Sequence, residues 1–260
     1  MDEHSKQERR TGGLPQGGST LDAIAPAALV LGALLAAAGF VGAFTVAGLV
    51  NGAQVSDPVV VGGVLVDHKL LLSQKIFYWH VPVAAASFGA LVFAAFFAVR
   101  FLMTRRAEFD LRAKVATEVA LVFVICTMIS GEMWTRFEWG VWWTWEPRLT
   151  TYLVLMLLTI GYFVLRNAVV DPERRAVYAS AMSVLIFVDV PICFMVTRLI
   201  PSSIHPVVFR TDSGLSPDML VPFLLSLFGM ALVAFGLFRL RLRTQRLARR
   251  VQLIQERLED

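Results

Sequence analysis

Residues 26–50 read PAALVLGALLAAAGFVGAFTVAGLV, an uncharged run longer than a bilayer needs. About 20 consecutive apolar residues cross the hydrocarbon core as a helix. Within lipid every backbone N–H and C=O must be satisfied by the protein itself. The run is continuous rather than alternating, which fits a helix and not a barrel strand. It is also too long for the apolar region of a cleaved signal peptide, so it is expected in the mature chain.

Working outward, five further apolar runs predict spans over residues 82–102, 115–130, 149–165, 179–200 and 219–240. The expected fold class is an all-α integral membrane protein with six transmembrane helices. Residues 1–22, polar and rich in Gly and Ser, read as a flexible tail. Residues 23–240 form the membrane domain, and 241–260 a basic C-terminal tail. Pro82 suits a first helical turn and disfavours helix at Val81, which predicts that His80 lies just before the second span. Composition agrees: 57% of the 260 residues are hydrophobic and 17% charged, against about a quarter charged in soluble domains. Cys126 and Cys193 each sit in an apolar run, with no CxxC or CxxCH. Thiol–disulfide exchange and covalent c-type heme attachment to this chain are therefore not expected.

Charge placement orients the spans. Of 24 Lys and Arg, 18 fall on the side that holds both termini; Lys69, Lys75, Arg136, Arg148, Arg198 and Arg210 fall on the other. Positive residues stay inside, so both termini are expected in the cytoplasm. The opposite face then gathers three distant segments: HKLLLSQKIFYWH (68–80), GEMWTRFEWGVWWTWEPR (131–148) and the segment with His205. All six tryptophans fall there, five of them between Trp134 and Trp145. An aromatic belt would place Trp at both interfaces. A one-sided cluster instead predicts an apolar platform for a large planar ligand.

Two histidines, His80 and His205, flank that platform. Neutral imidazole is a common axial ligand of heme iron, so the pair suits an iron porphyrin. His68 shares the face and is an alternative ligand. Guanidinium groups suit heme propionates, and Arg136 and Arg148 are the candidates. Asp189, in FVDVPI (187–192), falls mid-span, where a charge costs about 2.5–3.5 kcal/mol on the insertion scale. The expectation is a protonated side chain bonded to a carbonyl freed by Pro191. The tail, with Leu247, Val251, Ile254 and Leu258 at helical spacing, suits anionic lipid, a cytoplasmic partner or a solvated extension of the last helix.

The stretch WGVWWTWEPRLT (139–150) resembles the tryptophan-rich WWD signature of heme-handling proteins. With KIFYWHVPVAA (75–85) around His80, six spans and an outer histidine before the last span, the chain is similar to the CcmC family of the cytochrome c maturation system. The resemblance covers residues 20–245. It implies His80 and His205 as external ligands of heme b, and Trp139, Gly140, Trp142, Trp143, Trp145 and Glu146 as the platform. It also implies delivery to a periplasmic heme chaperone beside ABC-type ATPase and permease subunits. No GxxxxGK[ST] loop occurs in this chain, so any ATPase activity belongs to a partner. No nucleic-acid partner is expected. Two positions depart from the family pattern: the acid is Glu146 followed by Pro147, and His205 lies in SSIHPVV (202–208).

Three rival readings use the same residues. The cytochrome c–heme ligases share the signature but are longer and carry histidines inside spans, which the predicted spans here lack. A small-solute permease would use Asp189 and Pro191 along a path. A scaffold would dock the chaperone without binding heme.

Overall fold

The structure, a computed structural model, describes residues 20–48, 60–61, 64–65, 67–200 and 215–259. Six helices form it: α1 (Thr20–Thr45), α2 (Asp67–Thr104), α3 (Ala107–Trp139), α4 (Pro147–Ala168), α5 (Pro172–Leu199) and α6 (Pro217–Glu259). Each is long and apolar enough to cross a membrane. The expected all-α, six-span fold is present, with one two-residue strand pair outside the helices. Val60–Val61 (β1) and Val64–Leu65 (β2) pair antiparallel before α2, Val60 opposite Leu65.

The helices outrun the predicted spans. Apolar length reports only the hydrocarbon core, whereas a helix continues until something stops it. Thus α2 begins at Asp67, not Pro82, and passes through both His80 and Pro82. Proline inside a membrane helix is tolerated when neighbouring packing holds the freed backbone. His80 is therefore inside a helix and within a candidate span, Lys75–Thr104. The reading that no span contains a histidine is corrected. Likewise α3 carries residues 131–139 of the expected tryptophan loop, leaving only 140–146 outside helix. Helix α1 starts within the expected flexible tail, and the C-terminal tail continues α6 to Glu259.

Helix α2 sits centrally, packing on α3 most extensively and also on α5, α6 and α1. Its link to α3 is only Arg105 and Arg106, with Arg105 left-handed at φ 56°. So short a turn fixes an antiparallel register. Phe97 faces Phe109 across it (centroids 6.5 Å apart), and the Arg100 guanidinium lies 5.2 Å from the Phe109 ring. A buried core joins α2 to α3, α4 and α5 through Leu91, Val124, Leu155 and Ile186. Hydroxyls buried in α3 bond back one turn, Thr117 to the Ala113 carbonyl at 2.9 Å and Thr127 to that of Phe123 at 2.8 Å. This keeps polar side chains satisfied where lipid offers no partner.

Helix α1 buries a narrow stripe of small residues, Ala25, Gly32, Ala36, Gly39 and Ala43, and packs chiefly on α6. Small residues let two membrane helices approach closely, since lipid provides no hydrophobic drive between them. At the end of the bundle that carries the basic residues, ion pairs tie the helices together. Arg239 donates to Asp22 at 2.6 Å, Arg166 clasps Asp110 at 2.6 and 2.9 Å, and Arg241 reaches Glu118 at 2.7 Å. Arg246 also pairs with Glu108, so the extension of α6 is anchored on α3. Leu247, Val251, Ile254 and Leu258 remain exposed.

A Cβ on Gly229 would lie 2.5 Å from the Ala36 backbone nitrogen, whereas one on Gly89 meets nothing within 4 Å. Gly229→Val should therefore destabilise the protein by about 1–3 kcal/mol through overpacking. Gly89→Ala should stabilise it by about 0.5–1 kcal/mol through helix propensity. Thermal unfolding in detergent, followed by circular dichroism, checks both signs.

Candidate functional site

The short turn between α2 and α3 brings His80 against Ser130 and Gly131, because the two sides count nearly equal numbers of residues back to the turn. The His80 Nδ1 lies 2.9 Å from the Ser130 Oγ. A Cβ on Gly131 would sit 3.1 Å from the His80 Cε1, so the glycine makes room for the ring. His80 is half-buried, and Nε2 makes no hydrogen bond among the described residues.

Just beyond Ser130, α3 carries Trp134 and Trp139, packed edge to face at 4.9 Å and 74°. Gly140 (φ 76°) ends the helix in the left-handed conformation that a side chain would strain. Arg136 donates to the Gly140 carbonyl and lies 5.9 Å from the Trp142 ring centroid. Trp143 and Trp145 form a second perpendicular pair at 5.6 Å and 84°. The expected flat platform is thus two edge-to-face pairs, the arrangement the ring quadrupoles favour. Trp142 and Trp145 are the most exposed indoles, at 62% and 76%. The Trp143 Nε1 and Thr144 Oγ1 are buried with no hydrogen-bond partner among the described residues.

Glu146 is buried and serves as N-cap of α4, its Oε2 accepting from the backbone N–H of Arg148 at 2.9 Å and of Leu149 at 3.2 Å. Its carboxylate therefore shapes the segment as well as charging it. Arg148, in the first turn of α4, lies within electrostatic reach of His80 and Arg198. The two candidate arginines thus differ: Arg148 is near the histidine, while Arg136 clamps the exposed turn.

A cavity of about 1080 Å³ runs between α1, α2, α3 and α6, lined by Phe40, Trp79, Ser130, Trp134 and Phe137 among other mainly apolar residues. Trp79 packs edge-on against Phe40 at 6.3 Å. The cavity adjoins His80 through Ser130. Lys75, read from sequence only as an outer charge, is 3% exposed and donates to the Ala47 carbonyl at 2.6 Å, fastening α2 to the end of α1.

His205 and Arg210 lie outside the described residues. His68 lies three turns before His80 on α2, about 18 Å along the axis at 1.5 Å per residue. Asp189 departs from expectation. Its hydrogen-bond partner in the structure is the Cys193 thiol, one turn on at 3.7 Å, rather than a carbonyl freed by Pro191. Sequence reasoning missed Ser130, Gly131 and Lys75. Each acts on a partner far away in the chain, which local pattern does not disclose.

Six spanning helices that set a histidine beside an indole-rich helix end define a multi-pass membrane protein with an aromatic–histidine site at one end of the bundle. The sequence profile of CcmC, heme exporter protein C, matches residues 19–257. Heme exporter protein C of Rhodobacter capsulatus is 27% identical over 186 residues, 70% of this chain and 77% of that protein. The Bradyrhizobium diazoefficiens protein of that name is 30% identical over 194 residues, 73% of each chain. That of Escherichia coli K12 is 31% identical over 178 residues, 68% and 72% respectively. The chain belongs to the CcmC family, as its tryptophan signature implied.

Removing the Glu146 cap should cost about 0.5–2 kcal/mol. Glu146→Ala is expected to lower the thermal midpoint and alter tryptophan emission from the 139–145 segment. Glu146→Gln, which keeps an acceptor oxygen, should lose less. Equal losses in parallel melts would show that the cap contributes nothing.

Proposed function

We propose that this protein binds heme b as cargo at its outer end and passes it to a periplasmic heme chaperone during c-type cytochrome maturation. The observation that carries the reading is the His80 imidazole, held through Nδ1 with Nε2 left available, beside the tryptophan-rich end of α3. Family membership and the names of the relatives, heme exporter protein C, support the same cargo.

The residues fit such a ligand on physical grounds. The apolar, aromatic-lined cavity beside His80 suits a macrocycle face. The orphaned donors Trp143 Nε1 and Thr144 Oγ1 suit carboxylates, as does the Arg148 guanidinium. In this reading His80 and His205 are the axial ligands, exposed Trp142 and Trp145 cover one face, and Arg136 holds the turn that presents them. The protein orients and hands over its cargo and does no bond-making chemistry. ATP hydrolysis falls to ABC-type partner subunits, because the chain has no phosphate loop. The Lys and Arg asymmetry supports a site on the periplasmic side of the cell membrane, with both termini inside.

The test is a hemin titration of the purified protein in nanodiscs. The wild type should give a Soret band that shifts and weakens in His80→Ala and in His205→Ala. A wild type that retains no heme overturns the function, and unchanged spectra in both variants overturn the ligand assignment. Aromatic contacts are worth about 0.5–1.5 kcal/mol per ring, so Trp142→Ala with Trp143→Ala should weaken heme affinity roughly tenfold. Membrane insertion should stay intact.

A further inference from the structure

The contacts of Ser130 reach past holding a ring in place. Its Oγ lies 2.8 Å from the Cys126 carbonyl oxygen, 3.1 Å from that of Thr127 and 2.9 Å from the His80 Nδ1. Both carbonyls can only accept, and a serine hydroxyl has a single proton. Were that proton given to Nδ1, two carbonyl oxygens would face the hydroxyl oxygen at contact distance with no hydrogen between them. Donation into the α3 backbone removes that repulsion and turns a hydroxyl lone pair toward the imidazole. The ring must then carry its proton on Nδ1.

We infer that Ser130 is a positioning residue for His80: it accepts Nδ1–H, fixes the neutral tautomer whose lone pair is on Nε2, and so prepares that nitrogen to bind iron. The inference rests on the reading of His80 as a heme ligand, and it assigns the ligating atom. Metal-bound histidines generally donate their other ring N–H to an acceptor that sets tautomer and orientation. Here that acceptor is itself fixed. Ser130 is 6% exposed, its proton is committed to its own helix, and Gly131 sits against Cε1 on the neighbouring residue. A ring held at Nδ1 and flanked at Cε1 has little freedom to flip. Ser130 also lines the aromatic cavity, so the residue that orients the ligand borders the space proposed for the cargo.

The tautomer can be read without heme. Protein labelled with 15N-histidine, in bilayers above the imidazole titration range, has four histidines, and a His80→Gln difference spectrum picks out the relevant one. The wild type should show Nδ1 protonated and Nε2 bare. Ser130→Ala should move His80 toward a tautomer mixture, and Ser130→Thr, which keeps the hydroxyl, should restore the wild-type signal. With hemin added, Ser130→Ala should bind about 10-fold to 100-fold more weakly and shift the heme reduction potential, while Ser130→Thr stays near wild type. A wild-type His80 protonated on Nε2 overturns the inference and needs no variant. An unchanged tautomer and unchanged potential in Ser130→Ala overturn it as well. If the tautomer responds as stated but His80→Gln binds heme normally, the positioning stands and the heme-ligand reading fails.

Discussion

Two residues, Arg105 and Arg106, separate helices of 38 and 33 residues, and the shortness of that turn sets what lies opposite what. With no slack in the connection, α2 and α3 must run antiparallel in a single register. Near the turn this pairs Phe97 with Phe109, and some 25 residues along each helix it pairs His80 with Ser130. The site is thus built at the far end of a hairpin whose geometry is fixed at the other side of the membrane. An inserted residue in the turn would rotate one helix against the other and separate the histidine from its partner.

The same rigidity explains why the tryptophans are presented as they are. Because α3 does not stop at the hydrocarbon boundary, Trp134 and Trp139 stand on a helix rather than on a loose loop. Only seven residues between Gly140 and Glu146 lie outside helix, and both ends are fixed: Gly140 by its left-handed conformation, Glu146 by capping α4. A segment pinned at both ends can expose Trp142 and Trp145 without their collapsing into the bundle. Sites on rigid elements hold geometry better than sites on free loops.

Polar groups are divided between the two ends of the bundle. The interhelical ion pairs Asp22–Arg239, Asp110–Arg166 and Glu118–Arg241 gather where the basic residues are concentrated, and they brace the helices there. The opposite end relies on aromatic packing, the Lys75 contact to α1 and the His80–Ser130 hydrogen bond.

Six spans and the location of the tryptophan signature were legible in the sequence, because lipid leaves a backbone no choice but helix and leaves apolar length easy to read. The WGVWWTWEPRLT stretch also disclosed the family, since four indoles and an acid at fixed spacing have no structural reason to recur by chance. Where helices end was not legible. Hydropathy ceases at the membrane surface, while α2 and α3 continue until a turn or a glycine stops them and α6 runs on to Glu259. Placing His80 before its helix and residues 131–139 in a loop both came from that gap. Only the tertiary structure decided that Ser130 holds His80, that Glu146 caps a helix and that Lys75 is buried on α1. Each of the three depends on a distance between atoms, and Ser130 and Lys75 meet their partners only through helix packing that local pattern does not encode.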